Sequence, residues 1–96
     1  MAKGYWIARV DVSDPEQYAK YVSASAGAYE KYEGVALARG GRFEAVEGTA
    51  RGRNVIWEFP SFEAAVACFR SPEYQTARAL RESAGFGEFV MVEGVE

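Results

Sequence analysis

Three charged residues and a tyrosine are the side chains best placed for chemistry. Arg9 follows Ile7 and Glu58 follows Ile56 in two stretches of alternating character, so each charge shares a strand face with an apolar neighbour. An unpaired charge in such surroundings is costly, which argues that each meets a partner. Arg39 stands in a further extended stretch, and Tyr74 opens a helical one. A carboxylate between two arginines keeps a depressed pKa and orients a ligand; without that pairing, burial raises its pKa and suits it to proton transfer. Arg9, Arg39, Glu58 and Tyr74 are therefore the candidate ligand-binding residues, expected to converge near a cleft, and Glu58 is the candidate for catalysis. The competing and favoured reading of these charges is an interface ion pair.

The 96 residues include no histidine and one cysteine, Cys68. Cys/His zinc sites, histidine triads, proximal-histidine haem ligation and an internal disulfide are thereby excluded. Cys68 lies among Val66, Ala67 and Phe69 and reads as a small buried hydrophobe. The Gly40-Gly41 pair, flanked by Arg39 and Arg42, offers backbone N–H groups to an anion, but a β-bulge is the plainer reading. The Gly48 to Arg53 loop lacks the Gly-Lys-Ser/Thr of a phosphate loop, and no G-x-G-x-x-G occurs, so nucleotide binding has no support. No metal and no cofactor are expected. Net charge is −3, from 11 basic and 14 acidic residues, and the basic ones form no run, so no nucleic-acid partner is expected. The opening MAKGYWIARVDV reads as neither signal peptide nor membrane span, which points to the cytoplasm and to no membrane partner.

The elements that must position these groups are legible from period and caps. Gly4 to Val12 alternates: Trp6, Ala8, Val10 and Val12 face the helices, while Tyr5, Ile7, Arg9 and Asp11 face away. Asp14-Pro15-Glu16 starts a helix carrying the stripe Tyr18, Tyr21, Val22, Ser25, Tyr29 and Tyr32, and Gly34 stops it. That stripe reads first as half-buried core and second as a tyrosine-lined ligand site. Val35 to Gly48 reads as extended, interrupted at Gly40-Gly41, and Arg53 to Pro60 is the next strand. Ser61 caps a helix with Phe62, Ala65, Val66 and Phe69 on its apolar face. Ser71-Pro72-Glu73 repeats the start signal of Asp14-Pro15-Glu16, so the helix breaks and a new one begins there. Tyr74, Ala77, Leu80, Arg81 and Ala84 form the inner face of this second piece, and Glu88 to Glu93 is the last strand.

The order is β-α-β-β-α-β: an α+β, ferredoxin-like single domain over 1–96, with a four-stranded antiparallel sheet of order 4-1-3-2 and the helices on one face. Its other face, with Tyr5, Ile7, Ile56 and Val90 or Val92, is apolar enough to call for a second subunit. Lys3-Gly4-Tyr5-Trp6, Asp14-Pro15-Glu16 with Tyr18 and Tyr21, Ala38-Arg39-Gly40-Gly41, Glu58-Phe59-Pro60-Ser61, and Ser71-Pro72-Glu73-Tyr74 with Arg81 form an ordered set along the chain. In this set the chain resembles the bacterial family called domain of unknown function 1330, in the dimeric α/β-barrel superfamily. Tyr32-Glu33-Gly34-Val35 departs from the Tyr-Gly-Gly-type turn expected there. The resemblance implies a homodimer with sheets packed face to face and implies no reaction. Two functional classes follow: a cofactor-independent protein that binds or converts a small aromatic or acidic molecule between sheet and helices, by fold analogy, and a non-catalytic interaction dimer.

Overall fold

Strand β1 (Gly4–Val12) lies at the centre of the sheet because its inward set is wholly apolar: Trp6, Ala8 and Val10 are buried, and only Val12, at the strand's end, emerges at 36% exposure. The computed structural model describes residues 2–96. Helix α1 (Pro15–Lys31) follows, then β2 (Val35–Arg39), β3 (Arg53–Phe59), helices α2 (Phe62–Arg70) and α3 (Pro72–Arg81), and β4 (Gly85–Glu93). The strands are antiparallel in the order β2-β3-β1-β4, the expected order read from the other edge.

Trp6 organises the core. Its ring meets those of Tyr29, Phe59, Phe69, Tyr74 and Phe89 at centroid distances of 5.0–6.2 Å, so it touches all three helices and two neighbouring strands. Its indole N–H donates to the Ala65 carbonyl at 2.7 Å, which satisfies its one polar atom while the ring stays dry. Cys68 is fully buried, with its thiol toward the Ala28 carbonyl at 3.6 Å, and burial pushes its pKa up to about 12.

The caps act as the sequence predicts. Asp14 accepts from the Gln17 N–H, Ser61 from that of Ala64 and Ser71 from that of Tyr74. Ser71 also donates to the Cys68 carbonyl at 2.7 Å, so one side chain closes α2 and opens α3. Pro72 stands in the first turn of α3, where no N–H is needed.

Three expectations change. The extended segment from Val35 shortens to β2, ending at Arg39; residues 40–52 form no strand, and the chain turns at Gly40, whose φ is 70°. The bulge lies not at the glycine pair but between Ala36 and Ala38. Val35 pairs with Glu58, Ala36 with Trp57, Ala38 with Ile56 and Arg39 with Val55, leaving Leu37 as the extra residue. An extra residue reverses the alternation beyond it, so Arg39 is carried onto the helix side of the sheet. At the other end, β4 begins at Gly85 rather than Glu88, because the ladder with β1 continues to the Val12–Gly85 pair.

Candidate functional site

A cavity of ≈ 470 Å³ opens between the sheet and α1, within the range of about 300–1,000 Å³ typical of small-molecule pockets. One row of paired residues crosses its floor: Arg39 on β2, Val55 on β3, Ala8 on β1 and Phe89 on β4. Trp57 and Trp6, two register pairs along on the same face, add aromatic surface, and Arg53 stands beside Val10 in the row on the other side. The roof is the inner stripe of α1, with Tyr18, Tyr21, Ser25 and Tyr29 all buried and all lining the space. The tyrosine stripe is thus core and cavity wall at once.

Several of these side chains are held in fixed positions. Tyr29 stacks on Trp57 at 3.7 Å and 12°. The guanidinium of Arg39 lies 5.8 Å from the Trp57 ring centre, and that of Arg53 lies 5.3 Å from Tyr18, both in cation–π contact. The ion pairs of the described residues involve neither arginine. Arg53 Nε is buried without a hydrogen-bond partner. Glu30 is the carboxylate in the lining, on an exposed position of α1. Burial holds the hydroxyls of Tyr21 and Tyr29 far above the ordinary phenol range, so both are neutral at pH 7 and act as hydrogen-bonding groups rather than bases. Among the described residues no three histidine, cysteine, aspartate or glutamate side chains gather as a metal would need.

The four candidates do not converge. Arg39 lines the cavity, whereas Glu58 faces the opposite side of the sheet, where it accepts from the Tyr5 hydroxyl at 3.0 Å and lies 3.8 Å from Lys3. The bulge at Leu37 separates the two. Arg9 shares the outer face with Glu58 but not its row: Glu58 pairs with Tyr5, and Arg9 with Asn54, four residues along β3. Arg9 instead lies 3.7 Å from Glu88, which Arg51 also binds at 2.8 Å, while Arg51 reaches Asp11 at its other end. Tyr74 is fully buried on α3 and hydrogen-bonds Tyr21 at 2.7 Å. Arg53 was missed as a site residue, although its signal was present: it stands two and four residues before Val55 and Trp57, on their face of the strand.

A family model described as domain of unknown function (DUF1330) matches residues 3–95. No curated protein matches the sequence. Among solved structures, a protein of unknown function from Rhodopseudomonas palustris is 21% identical with a TM-score of 0.75, covering 99% of this chain and 84% of its own. SnoaB, a cofactor-independent oxygenase from Streptomyces nogalater, is 9% identical with a TM-score of 0.67, covering 100% and 96%. A dimeric ferredoxin-like protein of unknown function from Thermobifida fusca is 14% identical with a TM-score of 0.57, covering 99% and 92%. At these identities the likeness concerns the fold.

Proposed function

Starting from a chain that belongs to the domain of unknown function 1330 family, we propose that it is a homodimer that takes a small aromatic acid into the cleft between sheet and helices. The observation that carries this reading is an aromatic cavity whose lining includes two arginines outside any ion pair of the described residues. A flat ring fits against Trp57, Tyr29 and Tyr18, and a carboxylate pairs with Arg39 or Arg53 in the two-pronged geometry that guanidinium favours. Arg39 stays in the proposed ligand set and Arg53 joins it. Arg9 and Glu58 are assigned to the order of the outer face, and Tyr74 to the support of the cavity roof. That a cofactor-independent oxygenase has the same fold supports small-molecule handling in such a cleft.

The dimer reading rests on the outer face. Ile56, Ile7 and Val90 lie side by side across β3, β1 and β4, at 36%, 42% and 57% exposure. Structural neighbours described as dimeric support a second copy as the cover.

The chain's two tryptophans, Trp6 and Trp57, both line the cavity and report on its contents. Titration with benzoate should quench their fluorescence to saturation. Arg39→Ala and Arg53→Ala should each weaken binding by about tenfold, the size of one charge-assisted hydrogen bond. Glu58→Gln, on the far face, should bind as wild type does. Absence of saturable binding, or equal binding by all four proteins, would leave the non-catalytic interaction dimer as the reading.

A further inference from the structure

Arg39 and Arg53 are close neighbours of the same sign. Arg39 pairs with Val55 across β2 and β3, and Arg53 stands two residues before Val55, on the same face of β3. Such a diagonal sets the two side chains about 7–8 Å apart where they leave the sheet. Neither is in an ion pair among the described residues, and the Nε of Arg53 is buried without a partner. Glu30, the carboxylate of the lining, approaches neither guanidinium to ion-pair distance. The aromatic rings beneath the two cations hold them without neutralising them. Two like charges thus share one cavity with no anion between them.

The guanidiniums are also held over different parts of that cavity. The Arg39 group lies by Trp57, on which Tyr29 stacks, whereas the Arg53 group lies by Tyr18. Tyr18 and Tyr29 are eleven residues apart on α1, about 16 Å along its axis. The turn at Gly40 fixes Arg53 further. A Cβ there would come within 2.9 Å of the guanidinium carbon, so the glycine that follows β2 makes room for the charge. A single carboxylate gripped by one guanidinium fork leaves the other guanidinium unmatched. Two carboxylates on one ring match both.

We propose that the site takes aromatic acids carrying two carboxylates, one held by Arg39 and the other by Arg53, with the ring against the aromatic wall. This rests on the aromatic-acid reading above and narrows its substrate class. The second carboxylate relieves the repulsion between the two cations, which favours a dianion over a monoanion of the same outline. The charged groups facing the ligand are Arg39 from β2, Arg53 from β3 and Glu30 from α1.

The test compares isophthalate and terephthalate, which differ in the separation of their carboxylates, with their monomethyl esters, which keep the outline and lose one charge. Binding is read by tryptophan quenching. Wild type should bind the better-fitting diacid about tenfold more tightly than its half-ester, the size of one charge-assisted hydrogen bond. Arg39→Ala and Arg53→Ala should each bring that ratio close to one, and Glu58→Gln should leave it as in wild type. Phenyl phosphate, which carries its charge on one group, should bind more weakly than the better diacid. Tighter binding of phenyl phosphate would mean one anion shared by both arginines and would overturn the proposal. Equal binding of diacid and half-ester by wild type also overturns it and leaves the aromatic-acid reading intact, as does a ratio that survives the loss of either arginine. Failure of diacids, half-esters and benzoate alike to bind overturns the proposal and the reading together.

Discussion

Glu33 is held in the left-handed region with φ of 60°, where a side chain costs about 1–2 kcal/mol. It ends α1 in a six-to-one turn, with the Gly34 N–H on the Tyr29 carbonyl at 2.8 Å and its own N–H on Glu30 at 3.2 Å. The glycine that normally takes the left-handed place stands one residue later, because a Cβ at Gly34 would come within 2.8 Å of the Phe59 ring. Glu33→Gly should therefore stabilise the protein by about 0.5–1 kcal/mol in chemical denaturation, the strain relieved being partly offset by a freer unfolded chain. A second residue-scale prediction concerns Asp11 and Glu88. Hydrogen bonds from the Gly52 N–H and Arg51 hold Asp11 below its ordinary 3.8, and Arg51 holds Glu88 below its ordinary 4.5. A depressed folded pKa gives stability that is complete above the ordinary value and withdrawn as pH falls through the folded one. Acid should thus destabilise the protein below about pH 4.5, and Arg51→Ala should flatten that slope in melts recorded across the acid range. The carboxylates are exposed, so the effect is small and should shrink further in salt.

At the scale of elements, Ser71 does the most with one side chain. It caps α3 through the Tyr74 N–H at 3.1 Å and binds the last turn of α2 through the Cys68 carbonyl at 2.7 Å. Ser71→Ala should cost about 1–2 kcal/mol by thermal or chemical unfolding, at the upper end for a cap because the site is buried. The same change should loosen Tyr74, which holds the cavity-lining Tyr21 through a 2.7 Å hydrogen bond, so aromatic-acid affinity should fall along with stability. The bulge in β2 is the other decisive element. It costs one ladder position at Leu37 and in return delivers Arg39 to the cavity.

For the whole molecule, the Cα extents of 37 × 34 × 16 Å describe a slab with helices on one broad side and a bare sheet on the other. The loop 49–52 covers one corner of that sheet: Arg51 binds Asp11 and Glu88 and lies 4.5 Å from the Phe86 ring, and Arg9 reaches the Thr49 carbonyl at 3.4 Å. The apolar row Ile56, Ile7 and Val90 remains open beside it. A stable face-to-face dimer would bury on the order of 2,000 Å² in total. Ile56→Asp should dissociate it, because the charge would be buried without a partner. Sedimentation at micromolar concentration is the check: wild type should run as a dimer and the variant as a monomer, whereas a monomeric wild type would end the proposal.

Local rules sufficed wherever local physics decides. The inward set of β1, the Asp14-Pro15 and Ser71-Pro72 starts and the break between α2 and α3 were legible, because alternation, capping and proline act over a few residues, and the strand order followed from the β-α-β-β-α-β succession. The face of Arg39 was not. Whether a strand carries a bulge depends on the partner strand's register, and one extra residue at Leu37 inverts every side chain beyond it. For the same reason Arg53, correctly in phase with Trp57, gained meaning only when α1 was seen to stand off the sheet and leave a cavity there. The tyrosine stripe announced a buried face but not its height above the floor. That gap, and the meeting of Tyr21 with Tyr74 and Arg81 from a helix some fifty residues away, arise from how whole elements pack, which no local stretch of sequence specifies.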